Sequence, residues 1–123
     1  MKFLTSEDII EINKTLIKLL DKHPPKLGNS ENLKKIVEEA QNSSDIVTAA
    51  ATYFYELNRK HVFYGANKRT SFLAADLFLE MNGKRLAIDR TELIKLEMEV
   101  RAGSISFKEV KELFQNKIIT PKT

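Results

Sequence analysis

The stretch HVFYGANKRT, residues 61–70, runs straight into SFLAADLFLEMNG, residues 71–83, and joins an imidazole, a small-residue turn and two adjacent cations to the most apolar helical pattern of the chain. From Phe72 to Met81 eight residues of ten are apolar, all but Asp76 and Glu80, so the stripe is wider than a surface helix needs. The pattern predicts a buried helix from Asn67 to Met81, stopped by Asn82 and Gly83, with the remaining helices wrapped around it.

Helix stability does not account for what stands at its start. Lys68 and Arg69 fall in the first turn, where the macrodipole disfavours a cation by about 0.3–1 kcal/mol. A bound anion reverses that sign, because free backbone N–H groups, the dipole and both side chains then face the same negative charge. Gly65 and Ala66 keep the turn small enough for a phosphate to approach the backbone. Asn67 either caps the helix or contacts the ligand.

The charge balance agrees with one compact anionic partner. The chain of 123 residues nets only +3, yet between Leu57 and Ala75 it carries Arg59, Lys60, Lys68 and Arg69 and no acid, four positive charges in one stretch. That is a local cationic site rather than a surface for direct nucleic-acid binding. With 42% apolar and 30% charged residues, the length suits a single domain spanning residues 1–123 with a real core. Cysteine is absent, which excludes disulfides, thiolate metal sites and a cysteine nucleophile. The start, MKFLTSEDII, lacks the apolar run of a signal peptide, and no run of about 18 apolar residues suggests a membrane span. A cytoplasmic protein without a membrane partner is expected.

Working outward, a first helix is expected from Ser6 to Lys22, capped by Thr5 with Asp8, burying Ile9, Ile12, Leu16, Leu19 and Leu20. His23-Pro24-Pro25 breaks it, and His23 reads as a solvated side chain. Ser30 is the expected cap of a second helix with Leu33, Ile36, Val37 and Ala40 inward, and Ser44 that of a third reaching Arg59. In the third, Ala49, Ala50 and Ala51 allow close helix packing. Its consecutive Tyr53, Phe54 and Tyr55 cannot all face one core, since each helical position turns by about 100°. After Gly83, KRLAID is expected to be briefly extended, in at most one short hairpin. Asp89 with Glu92, and Ser106 with Glu109, make capping boxes for two last helices, and the tail from Asn116 is expected to fray. The sum is an all-α domain of about six helices.

Neither a Walker loop nor a Ser-His-Asp arrangement is legible. His61, beside the phosphate turn, reads either as a general base for an incoming hydroxyl or as a dipole partner at a helix C-terminus.

The run HVFYGANKRTSFLAADLFLEMNG resembles the signature of the Fic/Doc family, HxFx[DE][AG]N[GK]R, with agreement at His61, Phe63, Ala66, Asn67, Lys68 and Arg69. The likeness continues through the following helix and the AGSIS segment. Lys68 in place of glycine, and Phe72 where Fic enzymes carry a second arginine, put it nearest the Doc branch. The resemblance implies that His61 is the catalytic base and Phe63 an apolar anchor of the loop. It implies that Asn67, Lys68 and Arg69 hold the phosphates of ATP, and that a terminal phosphate passes to a Ser, Thr or Tyr hydroxyl of a target protein. Elongation factor Tu is the target it implies, with inhibition of translation and an antitoxin protein as partner. Transfer of AMP, as in Fic enzymes, is the alternative.

The family's acidic residue, which holds magnesium, is Gly65 here, so a third reading is a catalytically silent relative that binds a nucleotide or a protein. Asp76 stands about 13 Å along the helix from Asn67 and cannot substitute; Glu56 is left open. A self-inhibitory [ST]xxxE[GN] segment is not expected, since Thr52–Leu57 departs at its last position.

Overall fold

Every helix but one begins where a short polar side chain can serve its first free amides. In the computed structural model, which describes residues 1–20 and 23–122, Thr5 caps α1 (Ser6–Leu19) in a full capping box with Asp8. Asn29 caps α2 (Ser30–Gln41) and Asp45 caps α3 (Ile46–Arg59). The exception is α4 (Asn67–Met81), whose N-cap, Ala66, offers no side-chain hydrogen bond. After the two-residue strand β1 (Arg85–Leu86), Asp89 caps α5 (Arg90–Ala102) and Ser106 caps α6 (Phe107–Lys117), which leads into β2 (Ile118–Ile119).

Two caps differ from expectation by one residue. Asn29 rather than Ser30, and Asp45 rather than Ser44, accept the third amide of their helices, at 2.9 and 2.8 Å; a carboxylate or carboxamide reaches that amide as well as a hydroxyl does. Asp89 accepts the amide of Glu92 at 2.8 Å, one half of the expected box, whereas Ser106 and Glu109 form both halves.

The centre is shared by α3 and α4. α3 packs against α2, α4, α5 and α6, while α4 packs against α1, α3 and β1. Ala49, Ala50 and Ala51 are all fully buried, which lets neighbours approach closely. The three aromatics of α3 point to three partners: Tyr53 against Phe78 (5.3 Å between centroids), Phe54 against Phe114 (5.4 Å) and half-buried Tyr55 against Phe107 (5.6 Å). The Tyr53 hydroxyl accepts from the Leu4 amide at 3.0 Å, and burial pushes its pKa up to about 12.

Two expectations are corrected, on the inward face of α1 and on the tail. On α1 the buried positions are Ile9, Asn13, Leu16 and Ile17; Leu19 is 76% exposed along a groove and Leu20 is half-buried at the edge of a cavity, so neither enters the core. The expected end of this helix, Asp21 and Lys22, lies outside the described residues. The segment after Gly83 is briefly extended as expected, and β1 pairs antiparallel with β2, Arg85 opposite Ile119, in a small two-stranded sheet. The tail accordingly does not fray at Asn116, since Ile118 and Ile119 gain a partner strand; Thr123 lies outside the described residues. Among the described residues no helix is long and apolar enough to cross a membrane.

The α1–α2 loop is stitched to the HVFYGANKRT loop. Gly28 and Asn29 both donate to the Val62 carbonyl (2.9 and 3.0 Å), and Tyr64 donates to that of Lys26 (3.2 Å). A Cβ on Gly28 would stand 3.1 Å from the Val62 oxygen, a backbone atom that cannot swing away. Gly28→Ala is therefore expected to destabilise the fold by about 1 kcal/mol, read as a lower urea midpoint at unchanged slope.

Candidate functional site

A cavity of about 350 Å³ opens at the start of α4, lined by Leu20, His61, Gly65, Ala66, Asn67, Lys68, Arg69 and Arg101. The turn producing it is strained at two points. His61 (φ 49°) and Ala66 (φ 58°) are the only described non-glycine residues with positive φ, a conformation costing about 1–2 kcal/mol each. Such outliers persist only where surrounding contacts impose them.

Those contacts are specific. Asn67, 7% exposed, accepts the Phe63 amide at 3.0 Å and donates to the Phe63 carbonyl at 2.8 Å, closing the loop on itself. Phe63 is 2% exposed and packs in the core cluster. From α1, buried Asn13 donates to the Gly65 carbonyl at 2.9 Å and to the Thr70 hydroxyl at 3.2 Å. Asn13 sits among the apolar positions of α1, and nothing in its local sequence marks it as a loop anchor.

The left-handed Ala66 followed by right-handed Asn67 turns successive amides toward one side. Thr70 N–H is the first to find a helical acceptor, the Ala66 carbonyl at 2.9 Å; among the described residues no acceptor serves the amides of Asn67, Lys68 or Arg69. Asn67 thus does not cap the helix: its side chain is spent on the loop, and what it offers the cavity is its amide. Lys68 and Arg69 are exposed on the cavity wall. Arg101, near the end of α5, adds a third cation that sequence reasoning missed, since it lies 32 positions beyond Arg69 with no local motif.

His61 follows the last residues of α3 and is exposed at the cavity. Its Nδ1 lies 3.5 Å from Asn67 Nδ2, near enough to orient the ring and too long to fix its tautomer. The imidazole, three unpaired amides and three cations therefore line one cavity.

His23 is exposed as expected, but it is not remote from the site. Its Nδ1 lies 2.8 Å from the Pro24 carbonyl, and a Cβ on Gly65 would stand 2.9 Å from its Nε2. The imidazole fills the space that a side chain at position 65 would need.

The residues present do not form a magnesium site. Gly65 brings no carboxylate, Glu56 pairs with Lys60 at 3.8 Å and does not line the cavity, and no group of three or more His, Cys, Asp or Glu suited to a metal occurs among the described residues. Burial pushes the Glu56 carboxyl above its usual range.

The family model described as "Fic/DOC family" matches residues 3–79, more than half of the chain and the whole of this loop and helix start. The chain belongs to the Fic/Doc family. It is similar to the protein kinase doc of Escherichia phage P1, 39% identical over 67 residues that span 54% of this chain and 52% of that protein, which places it on the Doc side of the family. The match thus spans about half the length of that relative.

Proposed function

We propose that this protein is a Doc-type toxin that transfers the terminal phosphate of ATP to a hydroxyl side chain of a target protein. The observation that carries the reading is the convergence, in one cavity, of an exposed imidazole with the unpaired amides of Asn67, Lys68 and Arg69 and the cations of Lys68, Arg69 and Arg101. That constellation suits phosphoryl transfer, which needs positioning and charge stabilisation more than covalent chemistry by the protein.

In the reaction, the acceptor hydroxyl gives its proton to His61 as its oxygen bonds to the terminal phosphorus. The bond between that phosphorus and the oxygen bridging to the β-phosphate breaks, and ADP leaves with that electron pair. The amides and cations hold the charge spread over the phosphate oxygens. Exposure of His61 lets the side chain of a folded partner reach it.

The family relation suggests elongation factor Tu as target, with arrest of translation, and a neighbouring antitoxin as partner. The groove between α1 and α4, lined by Ile12, Leu16, Leu19, Leu73 and Leu77, supports a helical partner. Incubation with cell lysate and ATP labelled separately at the α and γ phosphates tests the reading. Label from the γ position on protein is expected. Label from the α position would indicate AMP transfer, and tight ATP binding without either label a silent relative.

Gly65 is the observation that favours silence, and it is directly testable. Its backbone is not left-handed and the neighbour in the way is the far end of the His23 side chain, so Gly65→Asp is expected to fold with His23 displaced. A restored metal ligand contributes several kcal/mol of charge stabilisation, so a magnesium-dependent gain in transfer of about tenfold or more is expected. No gain, also with His23→Ala added to clear the space, would mean that the missing ligand does not limit this protein.

A further inference from the structure

The four cations between Leu57 and Ala75 part company in the fold. Lys60 pairs with Glu56 at 3.8 Å. Arg59 does not line the cavity at the start of α4; its Nη1 donates to the carbonyls of Val100 and Arg101, at 3.5 and 3.3 Å. Lys68 and Arg69 are left to line that cavity, and Arg101 joins them from the last turn of α5.

The backbone that carries Arg101 is held from α3. Arg59 serves free carbonyls at the end of α5, where the dipole favours a cation. Left-handed Gly103 leaves room for it, since a Cβ there would stand 2.9 Å from Arg59 Nη1. Beside Arg59, fully buried Asn58 donates to the Glu97 carbonyl at 3.0 Å. Two consecutive residues of α3 thus fix the last turns of α5, and with them the point from which the Arg101 side chain enters the cavity.

Three cations on one cavity repel one another, and among the described residues no carboxylate lines it. Glu97 lines the adjoining cavity and makes no ion pair within 4.0 Å among the described residues. A magnesium site is the opposite arrangement, in which carboxylates and phosphates draw the ion in. Here a divalent cation would meet three positive charges and no acidic ligand.

We infer that Arg101 supplies from the protein itself the counter-charge that a metal ion would otherwise bring to the phosphates, so that this cavity takes a polyphosphate free of metal. The inference rests on the phosphate site proposed above. A guanidinium suits the role because it is planar, permanently charged and able to pair with two phosphate oxygens at once, whereas Lys68 brings a point charge. It holds charge without exchanging a proton. The preferred ligand is the fully charged polyphosphate rather than its magnesium complex, whose oxygens are already partly neutralised.

Equilibrium binding of inorganic tripolyphosphate to the full chain, at low ionic strength with a chelator and again with excess magnesium, tests the assignment. The wild-type chain is expected to bind in the chelator, and about threefold or more weakly in magnesium. Arg101→Ala is expected to weaken binding in the chelator about tenfold, and Arg101→Lys about threefold, because the paired hydrogen bonds go while the charge stays. Lys95→Ala removes an exposed cation of α5 that lines neither cavity, and is expected to change binding by less than about twofold. Gly65→Asp is expected to reverse the sign of the magnesium effect. Equal losses from Arg101→Ala and Lys95→Ala, or wild-type binding that magnesium tightens about tenfold, would overturn the role of Arg101 and spare a phosphate site that still depends on Lys68. Failure of tripolyphosphate to bind, or binding indifferent to Lys68→Ala, would overturn both.

Discussion

His61→Ala is expected to lower the rate of phosphoryl transfer by about 100-fold to 10,000-fold while ATP affinity changes by less than about twofold. The split follows from the division of labour in the cavity. In the proposed site the phosphates meet amides and cations at the start of α4, whereas His61 follows the end of α3 and meets the loop through the 3.5 Å approach to Asn67. Removing the imidazole leaves the buried Phe63–Asn67 clamp in place, so the binding half persists. Single-turnover rates and analogue binding, measured on the same preparation, read the two halves separately. Equal losses in rate and affinity would show that His61 binds the nucleotide rather than taking the proton.

Asn67→Ala carries the second large effect, and it falls on stability as well as on the site. Asn67 alone satisfies both the amide and the carbonyl of buried Phe63, at 3.0 and 2.8 Å. Each backbone group stranded without a partner costs about 1–3 kcal/mol, so the variant is expected to lose about 2–4 kcal/mol in urea unfolding. Asn67→Asp separates the two bonds, because a carboxylate still accepts the Phe63 amide but repels its carbonyl; a loss intermediate between wild type and alanine is expected. A loss under about 0.5 kcal/mol for alanine would mean that the left-handed turn at Ala66 is held by other contacts.

The helices were legible where one apolar face meets the core. Leu33, Ile36, Val37 and Ala40 of α2 all turn inward, and the limits of α4 fall where its pattern and the Asn82-Gly83 stop place them. Caps were ambiguous where two capable residues stand side by side, as in Asn29-Ser30 and Ser44-Asp45. Leu19 misled because an apolar side chain on a groove repeats with the same period as one in the core. The β1–β2 pair was hidden by the distance between Arg85 and Ile119, too far apart in the chain for any turn signal to join them.

The site was legible as a run of residues and hidden wherever the chain returns to it from afar. His61, Lys68 and Arg69 could be placed because one loop carries them. Arg101 and Glu97 arrive from α5 and Asn13 from α1, and each sits in an ordinary helical pattern. His23 was read as solvated, and it is exposed; that its ring occupies the space beside Gly65 depends on the loop pairing through Gly28 and Val62.

If the uncapped start of α4 is a phosphate nest, its backbone amide resonances report it most directly. In a titration of the isotopically labelled chain with a non-hydrolysable ATP analogue, the amides of Asn67, Lys68 and Arg69 are expected to show the largest shifts, moving downfield as they gain anionic acceptors. Saturation that leaves these three unmoved while amides elsewhere respond would contradict the account.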